Sequence, residues 1–283
     1  MLIAIEKMEN KHLRRFLQHV VYLIIMLILI PGFFYFEVFV VLPTIYEKWT
    51  VPYCTMFFIA MFLLINVIGN LIYGSFTNTS IKGRLIMTNG KSDWTACTIC
   101  ECLRPPRTWH CELCDICILK RDHHCTFFAC CVGYYNYRYF IMFTLHVFIA
   151  MLISITYNVM YLSEFLSWNQ GLILVKFLIP LASFVVDYGN ESGYIFLVIV
   201  NVVVGLFSGF LFFYHIKNVL KGMTVHETKH STKNFIYDKG LKLNLIEVLG
   251  SRWYLTWILP FIHSPLPGNG IDWDAHETTS WCR

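Results

Sequence analysis

Along the chain, long runs of apolar residues alternate with polar stretches, and four runs are long enough to cross a bilayer as helices. They lie at 20–42, 51–73, 139–162 and 194–214. A helix rises about 1.5 Å per residue, so roughly 20 apolar residues span about 30 Å of hydrocarbon. The first run contains Pro31-Gly32 and Glu37, and the third contains His146. The fourth carries Gly205-x-x-x-Gly209, a small-residue spacing that lets helix backbones approach closely. A fifth run, 171–186, is interrupted by Lys176 and Pro180 and is read as a re-entrant or lumen-side segment that does not span. The pattern predicts an all-α polytopic membrane protein with four transmembrane helices. A cysteine-rich domain at 92–138 separates the second helix from the third, with polar segments at 1–19 and 215–283 and a loop at 163–193.

Composition and charge refine that picture. The chain is 57% hydrophobic and 14% charged, a profile that excludes an ordinary water-soluble domain. Of its 22 Lys and Arg residues, 20 fall before the first helix, between the second and third, or after the fourth. Basic flanks stay cytoplasmic, so both termini and the central loop are expected there. Five spans would put the basic tail on the opposite side. The first apolar run is too long for a signal peptide's core and is expected to remain as an anchor.

The central loop, 74–138, holds nine of the eleven cysteines. A reducing cytosol disfavours disulfides, so dense Cys and His at short spacings point to metal. Cys97, Cys100, His110 and Cys117 stand at relative offsets 0, 3, 13 and 20, and Cys111, Cys114, His124 and Cys131 repeat those offsets 14 residues later. The duplicated pattern is C-x2-C-x9-H-x6-C. Each copy supplies three thiolates and one imidazole, the closed tetrahedral set of a structural zinc site, so two Zn²⁺ ions are expected.

Those eight ligands leave Cys54, Cys102, Cys125, Cys130 and Cys282 unused. Cys125 sits where a third copy would begin, but Phe128 stands where its next cysteine should be. It is thus tethered to a metal-bound neighbour and has no metal of its own. With His123 two residues before it and Asp122 beside that, Cys125 has the parts of covalent catalysis: a thiol, a base and a group to orient the base. The residues alone leave two other readings open. Cys125 is then an inert buried thiol, or an alternative ligand exchanging with Cys130 or Cys131, and His123 simply bonds a backbone carbonyl.

The run Cys97-x2-Cys100-x9-His110-Cys111-x2-Cys114-x2-Cys117-x4-Asp122-His123-His124-Cys125-x5-Cys131-x4-Asn136-x3-Phe140 resembles the cysteine-rich domain of DHHC-type protein S-acyltransferases. Tyr237-Asp238-x-Gly240-x3-Asn244-x3-Val248-x-Gly250 resembles that family's C-terminal motif. The resemblance implies that Cys125 takes a long-chain acyl group, typically palmitoyl, from acyl-CoA and passes it to cysteines of cytoplasm-facing target proteins, in ping-pong fashion. His123 would be the base, Asp122 its orienting group, and the helices would form a tapering acyl cavity. Arg104, Arg107, Lys120 and Arg121 are candidates for the CoA phosphates, Arg107 first because the family usually keeps a base there. The expected partners are the lipid bilayer, acyl-CoA and protein substrates. The expected location is an endomembrane, Golgi or endoplasmic reticulum, with the plasma membrane as the further candidate.

The chain departs from the family pattern after the nucleophile, where Thr126, Phe127, Phe128, Ala129 and Cys130 replace a run that usually begins Pro-Trp and ends Asn-Asn. Thr224-Val225-His226-Glu227 lacks the second hydroxyl of the family's Thr-Thr-x-Glu. These changes suggest a divergent branch and frame a second class of function, a weak or inactive membrane adaptor that uses its zinc domain for docking. Nucleic-acid binding is not expected, since the loop has no recognition-helix pattern.

Overall fold

The computed structural model describes residues 2–83, 94–165, 190–230 and 237–273. The apolar segment at 171–186 and Cys282 lie outside the described residues. Among these residues, four helical stretches are long and apolar enough to cross a membrane: Lys11–Ile45, Val51–Phe76, Tyr137–Ser163 and Gly193–Leu220. Between the second and third lies a domain of short hairpins.

The first stretch is not one regular helix. It runs through α1 (Leu2–Ile24), a widened turn at Ile25–Leu29, α2 (Ile30–Tyr35), a second widened turn at Phe36–Val41, and α3 (Leu42–Ile45). Pro31 and Pro43 each stand in the first turn of the segment after a widened turn. A proline has no N–H to donate and its ring collides with the carbonyl four residues back, and a wider turn relieves both problems. The other long helices are α4 (Val51–Phe76), α5 (Tyr137–Phe165) and α6 (Asn190–Leu220). Helices satisfy their own backbone groups, as hydrocarbon requires. Side chains such as Phe58, Leu206 and Phe210 point away from the protein and suit a lipid solvent.

The chain divides into two compact units. One comprises Leu29–Val67 and Thr144–Phe212. Its interior is held by a polar cluster. Glu37 Oε1 accepts from Ser154 Oγ at 2.7 Å and Asn158 Nδ2 at 2.6 Å, while Asn158 and Asn201 both donate to Ser154. Hydrogen bonds of this kind replace the hydrophobic drive that helices lack inside a membrane.

The other unit comprises Met1–Ile28, Ile68–Phe143 and Phe213–Arg283. Its described residues contain six three-residue strands arranged as three antiparallel hairpins: β1 (Thr95–Cys97) with β2 (Cys102–Arg104), β3 (Trp109–Cys111) with β4 (Ile116–Ile118), and β5 (His123–Cys125) with β6 (Cys130–Val132). Each hairpin turn contains a non-glycine residue at positive φ, Glu101 at 50°, Asp115 at 59° and Ala129 at 52°, again 14 residues apart. The sequence period is therefore a structural period of three, not two. Residues 79–81 extend the second hairpin, with Leu119 N–H donating to Thr79 O and Ile81 N–H to Cys117 O.

Asn136, fully buried, ties this array to the helices. Its Oδ1 accepts from Gly133 N–H, and its Nδ2 donates to Gly74 O and Cys131 O at 3.0 and 2.9 Å. The tail adds α7 (Val225–His230) and α8 (Leu241–Leu249). Gly240 and Gly250 bracket α8 at φ of 87° and 85°, conformations that glycine adopts without strain. Asn244 donates to Leu220 O and Asp238 Oδ1, so the tail motif fastens α8 to the end of α6.

Candidate active site

The three hairpins overlap in a simple way. The tip of the first contributes Cys97 and Cys100, and the paired residues His110 and Cys117 of the second complete a quartet. The tip of the second contributes Cys111 and Cys114, and the paired His124 and Cys131 of the third complete another. The second hairpin therefore serves one site with its tip and the other with its strands. In both tips the first cysteine's sulfur accepts a backbone N–H from the second, Cys100 N at 3.5 Å and Cys114 N at 3.4 Å.

The donor spacings suit a tetrahedral ion. Bond lengths of about 2.3 Å to sulfur and 2.0 Å to nitrogen put ligand atoms about 3.8 Å (S to S) and about 3.5 Å (S to N) apart. Cys100–Cys117 and Cys114–Cys131 are each 3.7 Å, and His124 Nδ1 lies 3.6, 3.3 and 3.6 Å from the sulfurs of Cys111, Cys114 and Cys131. His110 Nδ1 lies 3.8, 3.2 and 3.9 Å from Cys97, Cys100 and Cys117. Both quartets could hold a metal ion.

The third tip offers no such site. Cys125 is its first cysteine, and Phe128 occupies the position of Cys100 and Cys114. Phe128 is buried against Phe140 and Phe143 and lies so close to Gly74 that any side chain there would collide with its ring. An aromatic ring set into α4 thus fills the place of a metal ligand. Cys130, paired with Cys125 across the hairpin, turns its sulfur to Gly74 O at 3.7 Å, so Cys131 and not Cys130 joins the second quartet. Burial pushes the Cys130 thiol up to about 12.

Beside Cys125 the three residues Asp122, His123 and His215 converge. Asp122 Oδ2 lies 2.7 Å from His123 Nδ1 and 3.3 Å from His215 Nδ1. The Tyr137 hydroxyl is 3.1 Å from the same nitrogen of His215. Burial works to raise the Asp122 pKa, but hydrogen bonds from the two histidines outweigh it and hold the carboxyl well below its usual range. Burial would lower the His123 pKa, but bonding to Asp122 and to the Cys125 thiol raises it. With Nδ1 committed to Asp122, Nε2 is the ring atom left for a thiol.

His215 is absent from the sequence reading, although an ionisable residue at the end of a membrane run is itself a signal. The Thr224–Glu227 segment also gains a role. Thr224 Oγ1 accepts from Glu227 N–H, and Glu227 Oε2 accepts from Thr224 N–H at 2.8 Å, a reciprocal cap on α7. The next amide, Val225 N–H, donates to Asp122 Oδ1 at 2.8 Å. The group reaching Asp122 is a backbone N–H, so the missing second hydroxyl does not remove this bond.

Of the four basic candidates, Arg107 and Lys120 meet at Glu247, while Arg104 and Arg121 have other partners. Arg107 is buried and grips Glu227 in two bonds of 2.6 and 2.7 Å. Its guanidinium lies 4.3 and 4.5 Å from the ring centroids of Tyr237 and Trp273. Lys120, also buried, pairs with Glu247 at 2.5 Å, and Lys239 joins the same carboxylate group at 3.1 Å. Burial favours a raised Glu247 pKa, but Lys120 and Arg107 bring it down to about 2. Both charges are paired with carboxylates inside the fold. Arg104 bonds Thr95 Oγ1 at 2.7 Å and stacks near Trp109, while Arg121 lies beside Cys131 and Cys111.

Residues 90–232 match the family model described as DHHC palmitoyltransferase. The chain is 33% identical over 223 residues, 77% of each chain, to a mouse (Mus musculus) protein described as "Probable palmitoyltransferase ZDHHC24". It is 37% identical over 224 residues, 76% of this chain and 74% of the relative, to the zebrafish (Danio rerio) protein of that name. It is also 30% identical over 167 residues, 58% of this chain and 53% of the relative, to "Probable protein S-acyltransferase 12" of Arabidopsis thaliana. A helical chain with four candidate membrane spans and two possible zinc quartets between the second and third, this protein belongs to the DHHC palmitoyltransferase family.

Proposed function

We propose that the chain is a protein S-acyltransferase that forms an acyl-Cys125 thioester and passes the acyl group, typically palmitoyl, to cysteines of target proteins. The observation that carries this reading is the junction of Asp122, His123 and Cys125 at the one hairpin tip without a second cysteine. In the first half-reaction His123 Nε2 takes the Cys125 proton, and the sulfur attacks the carbonyl carbon of acyl-CoA. The bond to the CoA sulfur breaks, and His123 returns the proton to the departing thiolate. In the second, His123 deprotonates a substrate cysteine, which attacks the acyl-Cys125 carbonyl and restores the Cys125 thiol. Asp122 holds the His123 tautomer throughout, itself fixed by Val225 N–H and flanked by His215.

In this reading Cys97, Cys100, His110 and Cys117 hold one zinc, and Cys111, Cys114, His124 and Cys131 the other. Zinc there supplies a structural crosslink, since three thiolates and an imidazole leave no open coordination position. The hairpin array at 92–138 faces the cytoplasm, because 20 of the 22 basic residues lie on the side of the termini and this loop. A chain of about 16 carbons gains roughly 0.8 kcal/mol per buried methylene, which suits an acyl donor that partitions into a bilayer. The CoA phosphates are assigned to Arg104 and Arg121 ahead of Arg107 and Lys120, whose charges are already paired. The proposed compartment is the Golgi or endoplasmic reticulum.

The test is transfer of labelled palmitate from palmitoyl-CoA to the purified, detergent-solubilised chain and to its Cys125→Ser variant, with zinc content measured in both. A hydroxylamine-labile adduct on wild type alone, with about two zinc ions in each protein, is the expected result. A folded, zinc-replete wild type that takes no label at any acyl length would overturn the transferase reading in favour of docking.

A further inference from the structure

The cytoplasmic end of α1 lies against the second quartet through one face. Lys11, Arg15 and Gln18, spaced four and three apart and so on one side of a helix, are half-buried, whereas His12, Leu13, Arg14, Phe16, Leu17 and His19 are exposed. Lys11 Nζ pairs with Asp115 Oδ1, Arg15 Nη2 donates to Cys114 O, and Gln18 Oε1 lies 3.1 Å from His124 Nε2. All three contacts fall on residues of the second quartet or its turn.

The hairpin repeat explains why Gln18 is needed. A metal-binding histidine uses its other ring nitrogen to donate to an outer acceptor, which fixes its tautomer and orientation. His110 Nε2 faces Asp115 Oδ1 at 3.9 Å, an electrostatic contact longer than a hydrogen bond, five residues further along the chain. The residue five beyond His124 is Ala129, at the same place in the next turn and with the same left-handed backbone, and it has no acceptor. Gln18 supplies from α1 what the third hairpin lacks.

We propose that Gln18 is a positioning residue for His124, so that α1 clasps the second metal site and, through the adjacent residue, the nucleophile Cys125. This rests on the reading of Cys111, Cys114, His124 and Cys131 as zinc ligands. Lys11 extends the clasp by holding Asp115, whose carboxylate faces His110.

The experiment measures zinc content and the kinetics of zinc transfer to a chromophoric chelator, using the full-length detergent-solubilised chain. The proteins are wild type, Gln18→Leu, Gln18→Leu combined with Ala129→Asp, and His12→Leu as an exposed-face control. The expected outcome is that Gln18→Leu releases one of its two ions on the order of 10–100-fold faster, while the other leaves at the wild-type rate. Ala129→Asp, which rebuilds the Asp115 arrangement at a backbone conformation that Asp tolerates, should restore slow release, and His12→Leu should not change it. Two ions lost at wild-type rates from Gln18→Leu would overturn the clasp alone. Fewer than two ions in the wild type would overturn the ligand reading and the clasp with it. If Gln18→Leu does not fold, Gln18→Glu, which keeps an acceptor, and Gln18→Ala replace it. Equal release from those two also overturns the proposal.

Discussion

The second and third hairpins have the same register, the same turn conformation and the same 14-residue phase, yet their tips differ in chemistry. Cys111 is joined by Cys114 and lies within reach of His124 and Cys131. Cys125, at the equivalent position, is followed three residues later by Phe128, and after β6 comes α5 instead of a fourth hairpin. One tip is therefore closed around four ligand atoms. The other holds a thiol beside an imidazole. On the proposed reading, the difference teaches that a nucleophile can be made by interrupting a metal-binding repeat: the scaffold still fixes the Cys125 sulfur, and the further donors that could have joined it around an ion are absent.

Substitutions can break or sharpen this contrast. The largest effect is expected from Cys111→Ser, which removes a ligand at the closed tip. Zinc analysis should show one ion lost, and because structural zinc contributes about 10–16 kcal/mol of apparent folding free energy, acylation should disappear with it. The matching change at the open tip, Cys125→Ser, should leave both ions in place. Asp122→Asn keeps the shape but disturbs the His123 tautomer, and steady-state kinetics should show a fall on the order of 10²–10⁴-fold in kcat with zinc content unchanged.

Phe128→Ala tests whether the ring is what replaces the missing ligand. Emptying that buried site should cost about 3–5 kcal/mol, read as a lower thermal midpoint with both ions retained. At the small end, Thr224→Ala should cost about 0.5–2 kcal/mol through loss of the α7 cap. Val225→Thr should leave palmitate transfer close to wild type, because the bond to Asp122 comes from the backbone. A large gain from Val225→Thr would show that a side-chain hydroxyl matters at that point.

The sequence by itself determined the four apolar spans, since bilayer thickness sets a length that hydropathy alone can meet. It also determined the two Cys and His quartets that could hold metal, because metal coordination demands particular atoms at repeated spacings and leaves that demand in the residue order. The juxtaposition of Asp122, His123 and Cys125 was legible because they are near neighbours in the chain. The tertiary structure alone decided what comes from far away or from the backbone. His215 arrives from the fourth helix, Gln18 from the first, and Val225 acts through an amide that every non-proline residue possesses, so its side chain carries no trace of the role. Arg107 and Lys120 show the converse. Their charges were legible but their partners were not: Glu227 and Glu247, 120 and 127 residues further along, meet them in the interior. A buried cation needs a paired carboxylate nearby, and only the fold determines which one reaches it.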